Sequence, residues 1–261
     1  MEEFKKISLL EKRKLAIEDL IKYYSELRKY EYDNGYELKY IELRKKVHFL
    51  ISIILEIDQI LSKEKIAVLN DLHNMNNDKP KIFACTHIGG NDVQRAFQVI
   101  KTPAYLMLGN PGILYKKIIY QGLRMNGVIP LETLDKKERK IAYNRAVELL
   151  NKNGNLLIFP EGAWNVSPNV FVMKLFTGTV RITGDTGAEI IPIATEQYGN
   201  TFYFNIGKNY TVPENYLDIA EDLTDELREK LATLKWKIML SQPELKRDEI
   251  PELEDFQDEI I

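Results

Sequence analysis

The chain has 261 residues, 44% of them hydrophobic and 29% charged, with a formal net charge of −3. That composition fits a globular protein with one sizeable α/β core or two small ones, and the near balance of charge argues against nucleic acid as a main partner. A single cysteine, Cys85, excludes an internal disulfide framework and suits a reducing compartment.

Residues 1 to about 78 read as a helical N-terminal region. Its start, Met1-Glu2-Glu3-Phe4-Lys5-Lys6, is followed by too short an apolar stretch for a secretory signal, so export is not indicated. Ile17, Leu20, Ile21, Tyr24 and Leu27 recur at helical spacing before a break at Asp33-Asn34-Gly35. A second helix should run to near Leu61. Its stretch 47–57 is apolar nearly all round and follows Arg44-Lys45-Lys46, so it either packs in a core or lies at a membrane surface with its cationic end at the headgroups. His48 and His73 have no partners at metal-ligand spacing and read as packing or surface residues.

From Pro80 onward strands and helices alternate. Strands are expected near 81–85, 104–108, 128–131, 155–159 and 190–195, and helices near 92–100, 113–125, 135–152 and 176–186. The longest uncharged run, 102–115, has 14 residues and contains Pro103, Gly109, Pro111 and Gly112. A spanning helix needs about 20 predominantly apolar residues, so no transmembrane segment is expected. A hairpin-like strand at 201–206 precedes a final helix starting at Thr224-Asp225-Glu226, with Leu227, Leu231, Leu234 and Ile238 as its apolar stripe. The tail after Pro243 is acidic and reads as a solvated or loosely docked end. The expected fold class is α/β: a largely parallel central sheet flanked by helices, with a helical N-terminal region. The chain divides into that region (1–78), an α/β catalytic region (79–212), and a C-terminal helix with its acidic tail (213–261).

The chemistry is carried by Thr86-His87-Ile88-Gly89-Gly90-Asn91-Asp92, an H-x4-D pair just after a predicted strand. A histidine that takes a proton from an alcohol needs one free ring nitrogen and a carboxylate holding the other. If His87 ends the strand and Asp92 opens the next helix, the glycine pair can fold the backbone so that the two side chains meet. Functional loops of such sheets lie at the carboxyl ends of the strands, where Glu161 also falls. Cys85, inside the apolar strand, reads as a small buried residue and not as a nucleophile.

Further blocks follow in order. Gly127-Val128-Ile129-Pro130-Leu131-Glu132, Leu157-Ile158-Phe159-Pro160-Glu161-Gly162, Phe176-Thr177-Gly178 and Ile190-Ile191-Pro192-Ile193-Ala194, together with the H-x4-D pair, resemble the lysophospholipid acyltransferase family over roughly residues 81–196. The resemblance implies transfer of a fatty acyl group from an acyl thioester, acyl-CoA or acyl-ACP, to a hydroxyl of a lysophospholipid or glycerolipid-like acceptor. His87 would be the general base and Asp92 its orienting acid, with no cofactor beyond the acyl donor and no metal. No covalent acyl-enzyme is needed, in keeping with the lack of a G-x-S-x-G elbow. Substrate-binding positions implied by the blocks are Pro160, Glu161, Gly162, Thr133, Trp164 and Pro192, the last as a wall of the acyl site or plain core. A cytoplasmic location at the inner face of the membrane, peripherally bound, goes with that substrate class.

Departures from the family pattern lie at Thr133 and Trp164, where the family has arginines, and at Asn165 in place of a serine. Those arginines are implied to hold the acceptor's phosphate. A less phosphate-dependent acceptor, such as a glycolipid or a sugar hydroxyl, is therefore an alternative, unless Arg124, Lys136, Lys137, Lys174 or Arg181 supplies the cation. A non-catalytic lipid-binding relative and a thioester hydrolase are further readings. A nucleotide-binding domain built on Gly89-Gly90 lacks the G-x-G-x-x-G loop it would need.

Overall fold

The computed structural model describes residue 4 and residues 6–109, 111–112, 114, 124–167 and 170–243. The helix expected at 113–125 and the acidic tail lie largely outside these residues. Three helices come first: α1 (Leu9–Lys14), α2 (Ile17–Asp33) and α3 (Ile41–Leu61). Ser8 caps α1 in a box with Glu11, and α2 stops at Asn34-Gly35, where Gly35 has φ 68°. No residue of α2 is buried. The helix docks through polar contacts, Arg28 Nε to Glu138 at 2.9 Å and Lys29 Nζ to Asp135 at 2.5 Å.

One expectation for the N-terminal region is corrected. Residues 65–71 form a strand, β1 (Lys65–Asp71), not helix. It pairs in parallel with β7 (Thr201–Ile206) at the outer edge of the sheet. Ile66, Ala67 and Leu69 are only partly buried and fall on both of its faces, which leaves Lys-Ile-Ala-Val-Leu-Asn-Asp with a weak alternation and no turn signal after α3.

The other strands and helices are β2 (Lys81–Cys85), α4 (Asp92–Ile100), β3 (Tyr105–Gly109), β4 (Val128–Leu131), α5 (Lys136–Asn151), β5 (Leu156–Ile158), α6 (Gly178–Thr186), β6 (Glu189–Tyr198) and α7 (Ala220–Leu240). They build a seven-stranded sheet in the order β1-β7-β6-β2-β5-β3-β4. From β6 to β4 every pairing is parallel, and β7 turns back antiparallel on β6 through Gly199, at φ 57°. Alternate residues of each strand go to opposite faces. Ile82, Ala84, Leu156, Ile158 and Ile190 meet Ala146 and Leu149 of α5, Ile182 of α6 and Leu227 and Leu231 of α7. Phe83, Cys85, Leu106, Leu157 and Ile191 meet Ile51 and Leu55 of α3 and Ala96 and Phe97 of α4. β2, at the middle, is buried at every residue, as parallel strands covered on both faces are.

α3 is buried on one side only. Ile41, His48, Ile51 and Leu55 face the protein, whereas Phe49, Leu50, Ile53, Ile54 and Ile57 are exposed. His48 packs as expected, its Nδ1 bonded to Asn126 Oδ1 at 2.7 Å, and burial lowers its pKa against that hydrogen bond. The last helix starts at Ala220 and not at Thr224, because the Thr224 hydroxyl donates back to the Ala220 carbonyl from within the helix. Glu221 and Asp222 supply the acidic first turn instead.

Candidate active site

The chain stays pinned to β6 up to the residue before His87. Thr86 N donates to the Ile193 carbonyl at 3.0 Å, and the Thr86 hydroxyl accepts from Thr195 N at 2.9 Å. Gly89 and Gly90 then turn the backbone at φ 94° and 60°. A Cβ at Gly90 would meet only Gln197 Oε1, at an unstrained 4.0 Å, so it is the left-handed conformation that calls for glycine there. The turn delivers Asp92 to the first position of α4, fully buried, with Oδ2 at 2.7 Å from His87 Nδ1. The same oxygen accepts the backbone N–H groups of Ile88 and Gly89 at 2.8 and 2.9 Å. Facing a carboxylate with three donors, Nδ1 carries the imidazole proton, which leaves Nε2 as the basic nitrogen. Asp92 Oδ1 is buried with no hydrogen-bond partner among the described residues.

β5 brings the second block alongside. The Phe159 ring lies 4.4 Å from the imidazole, centroid to centroid, tilted by 34°. Glu161 is 4% exposed, and both its oxygens are taken by backbone: His87 N donates to Oε1 at 3.0 Å and Met173 N to Oε2 at 2.8 Å. Burial pushes the Glu161 carboxyl above its ordinary range, opposed by those two N–H groups and by Lys235 and His87. Gly162 turns the chain at φ 68°, and a Cβ there would fall 2.5 Å from the Phe176 ring. The Pro160 carbonyl accepts from Phe176 N at 3.0 Å, so the two blocks are stitched together.

Trp164 is 48% exposed and stands edge-on to the imidazole at 6.2 Å. Asn165, buried, ties this loop down: its N–H donates to the His87 carbonyl at 2.7 Å and its amide to the carbonyls of Val170 and Phe171. Thus His87, Asp92, Pro160, Glu161, Gly162 and Trp164 converge. Thr133 and Pro192 do not join them by any direct contact. Thr133 is exposed beyond β4, three strands or roughly 14 Å from β2 on the same end of the sheet. Pro192 is core: it sits opposite Ala84, and a Cβ on Gly207 would fall 2.8 Å from its ring and 3.2 Å from Leu234. Its carbonyl accepts from Gly207 N at 2.9 Å, between the Ile190–Tyr210 bridge and the first β6–β7 pair, Ile193–Ile206.

Cys85 is buried, and burial, with Asp92 and Glu161 nearby, raises its thiol well above the ordinary value, which suits packing and not attack. Of the cations named from the sequence, Arg124 lies 5.2 Å over the Tyr24 ring and Lys137 pairs with Asp33. Sequence reasoning missed Arg139, whose guanidinium donates to the Thr133 carbonyl at 2.6 Å. The signal was its position six residues on, in the first turn of α5. It also missed the backbone donors that hold Glu161, which no sequence pattern marks.

A sequence model of the family described as Acyltransferase matches residues 67–196, about half of the chain. The chain is 26% identical over 151 residues to the chloroplastic 1-acyl-sn-glycerol-3-phosphate acyltransferase LPAT1 of Arabidopsis thaliana, covering 58% of this chain and 41% of that one. It is 24% identical over 173 residues to the chloroplastic 1-acyl-sn-glycerol-3-phosphate acyltransferase BAT2 of Brassica napus, covering 63% and 49%. The chain therefore spans just under half the length of these relatives. The crystal structure of the 1-acyl-sn-glycerophosphate (LPA) acyltransferase PlsC from Thermotoga maritima shares the fold, with a TM-score of 0.62, 15% identity, and coverage of 85% of this chain and 91% of that one. The matched segment runs from β1 through the last strand of the site, and the chain belongs to the acyltransferase family.

Proposed function

We propose that the protein transfers a fatty acyl group from a thioester of coenzyme A or acyl carrier protein to a hydroxyl of a lysophospholipid-like acceptor. The observation that carries this reading is the 2.7 Å contact of His87 Nδ1 with a buried carboxylate, which leaves Nε2 free at the carboxyl ends of parallel strands. His87 Nε2 removes the hydroxyl proton as the acceptor oxygen attacks the thioester carbonyl carbon. The carbon–sulfur bond then breaks and the imidazolium returns the proton to the departing thiolate. Asp92 holds the tautomer and stabilises the imidazolium. Glu161 acts by shaping: with both oxygens on backbone N–H groups, it fixes the main chain of His87 and leaves acceptor binding to other residues. Apart from the acyl donor no cofactor is invoked.

Arg139 favours a phosphate-bearing acceptor such as lysophosphatidic acid, because it places a guanidinium on the carbonyl of Thr133, where an arginine is missing. Trp164 favours the second reading, a non-phosphorylated glycolipid or sugar hydroxyl, since it presents a ring and no charge beside His87. No described helix is long and apolar enough to cross a membrane, yet α3 exposes Phe49, Leu50, Ile53, Ile54 and Ile57 together. That face suits peripheral binding to a membrane surface, which we place at the cytoplasmic leaflet.

The test is thiol release from acyl-CoA with lysophosphatidic acid or a non-phosphorylated acceptor, comparing the protein with His87→Ala. Acyl lipid formed in step with free thiol supports the reading. Free fatty acid released without acceptor identifies a hydrolase, and no thiol release with any acyl thioester overturns it. Flotation with anionic vesicles, lost in Phe49→Glu/Ile53→Glu, tests the membrane face.

A further inference from the structure

Among the described residues, the most completely bonded side chain is also the largest fully buried one, Arg95 on α4. A guanidinium offers five N–H donors. Here Nε goes to Glu64 at 2.6 Å, one terminal nitrogen to Asp58 at 2.7 Å and the Ser62 hydroxyl at 3.2 Å, and the other to the Leu55 carbonyl at 3.3 Å and Gln98 at 2.8 Å. All but Gln98 belong to α3 or the connection that follows it.

Glu64 does more than neutralise this charge. While its Oε2 takes Arg95, its Oε1 accepts the side-chain amide of Asn91 at 2.8 Å. One carboxylate thus grips residues on both sides of Asp92. Asn91 is the N-cap residue of α4, yet its side chain makes no cap bond. Asp92 itself is anchored through Oδ2 alone. The direction of its carboxylate therefore follows the first turn of α4, and that turn is held from α3.

We propose that Glu64 and Arg95 are positioning residues: the Asn91–Glu64–Arg95 clamp fixes the first turn of α4, aims Asp92 at His87, and makes that aim depend on how α3 is seated. The inference rests on the acyl-transfer reading only for its kinetic arm. α3 also carries the exposed apolar face, so a surface that engages that face acts on the helix gripping the catalytic acid.

The experiment uses the full chain carrying Glu64→Leu with Arg95→Met. Asp58, left behind, has a side chain 34% exposed and can be solvated. As a control, Lys81→Met with Glu189→Gln removes a buried ion pair at the opposite end of β2. Two quantities are read: kcat and KM for acyl transfer to lysophosphatidic acid in mixed micelles, and the hydrogen-bonded Nδ1 proton of His87 in 15N-histidine-labelled protein. With only three histidines, His48, His73 and His87, assignment needs one substitution each. In the folded clamp variant kcat should fall by about 10–10²-fold with KM for the acyl donor unchanged, and the low-field His87 proton should be lost. The control should keep both. Glu64→Gln, which retains one acceptor oxygen, should fall between. A folded clamp variant that keeps wild-type kcat and the His87 resonance overturns the proposal. If the unmodified protein transfers no acyl group, the resonance alone decides, and it is the acyl-transfer reading that falls. Should the double variant not fold, Asn91→Ala and Glu64→Gln, each cutting one arm, are read in the same way.

Discussion

The two ends of the central strands treat their buried charges in opposite ways. At the start of β2 and β6, Lys81 and Glu189 pair at 3.0 Å, and every nearby acceptor is used. Glu189 Oε1 takes the Asn77 amide at 3.0 Å, its Oε2 takes Asn209 at 2.7 Å, and Lys81 also bonds Asn77 and the Lys79 carbonyl. At the far end Asp92 crowds three donors onto one oxygen and leaves the other bare. The titrations diverge likewise. Burial alone would push Glu189 up, but Asn209, Lys81 and Asn77 together hold it below its ordinary value, whereas burial prevails at Glu161 and raises it. A polar cluster that serves only the fold closes on itself. The Asp92 cluster, which the proposed function assigns to chemistry, keeps an acceptor in reserve, and the two can be separated by experiment.

The largest expected effect is at the open end. His87→Ala should lower kcat/KM for acyl transfer by about 10²–10⁴-fold with the thermal unfolding midpoint nearly unchanged, and Asp92→Asn should follow closely, because an amide cannot stabilise the imidazolium. A stable His87→Ala protein with full turnover would erase the contrast between the ends. The closed end should show the reverse. Lys81→Met leaves the half-buried Glu189 carboxylate to Asn77 and Asn209 and should lower stability in urea by about 1.5–3 kcal/mol, while kcat of the folded fraction stays as it was.

The two glutamates sharpen the comparison through pH. A carboxyl held low in the folded state adds stability above its unfolded pKa and loses it as pH falls through the folded value. The stability advantage over Glu189→Gln should therefore shrink on acidification below about 4.5, the unperturbed value. For a carboxyl held high, the contribution is present below the unfolded pKa and is lost as pH rises through the folded one. The difference between wild type and Glu161→Gln should thus move the other way, by about 1.4 kcal/mol for every tenfold by which folding tightens the carboxyl's hold on its proton. Urea melts between pH 3 and pH 7 on the three proteins check this, and slopes of the same sign would contradict the assignment. The smallest effect is expected at the acceptor side. With Arg139 already at the Thr133 carbonyl, Thr133→Arg should raise kcat/KM for lysophosphatidic acid by no more than about fivefold, the range of one exposed ion pair. A much larger gain would favour the non-phosphorylated acceptor for the native chain.

The central part of this arrangement is legible in the sequence because it is built from local rules. Alternating apolar runs and helical stretches mark the parallel strands, and Gly89-Gly90 between a strand and Asp92 announces the turn that joins His87 to Asp92. What escapes is non-local. β1 is an edge strand whose partner lies more than a hundred residues on, so its own pattern is faint. Thr224 reads as a cap because its hydroxyl can bond forward, and in the fold it bonds back. Glu64, Arg95 and Arg139 acquire their roles only from chain segments that meet in space, and the Met173 N–H that holds Glu161 has no side chain to betray it.

The parallel pairing of β1 with β7 also sets an order of assembly. Lys65 finds its strand partner at Thr201, and Lys65 N bonds the Asn200 carbonyl at 2.8 Å, so β1 has nothing to add to until the ribosome has produced most of the chain. Residues 81–198 hold the strands β2 to β6 and can collapse beforehand. Glu64 sits immediately ahead of β1, so the pairing of β1 with β7 ties down the segment that reaches Asn91 and Arg95. During synthesis the strands from β2 to β6 can come together first, and the sheet is complete only when its last strand pairs with one of its first-made segments.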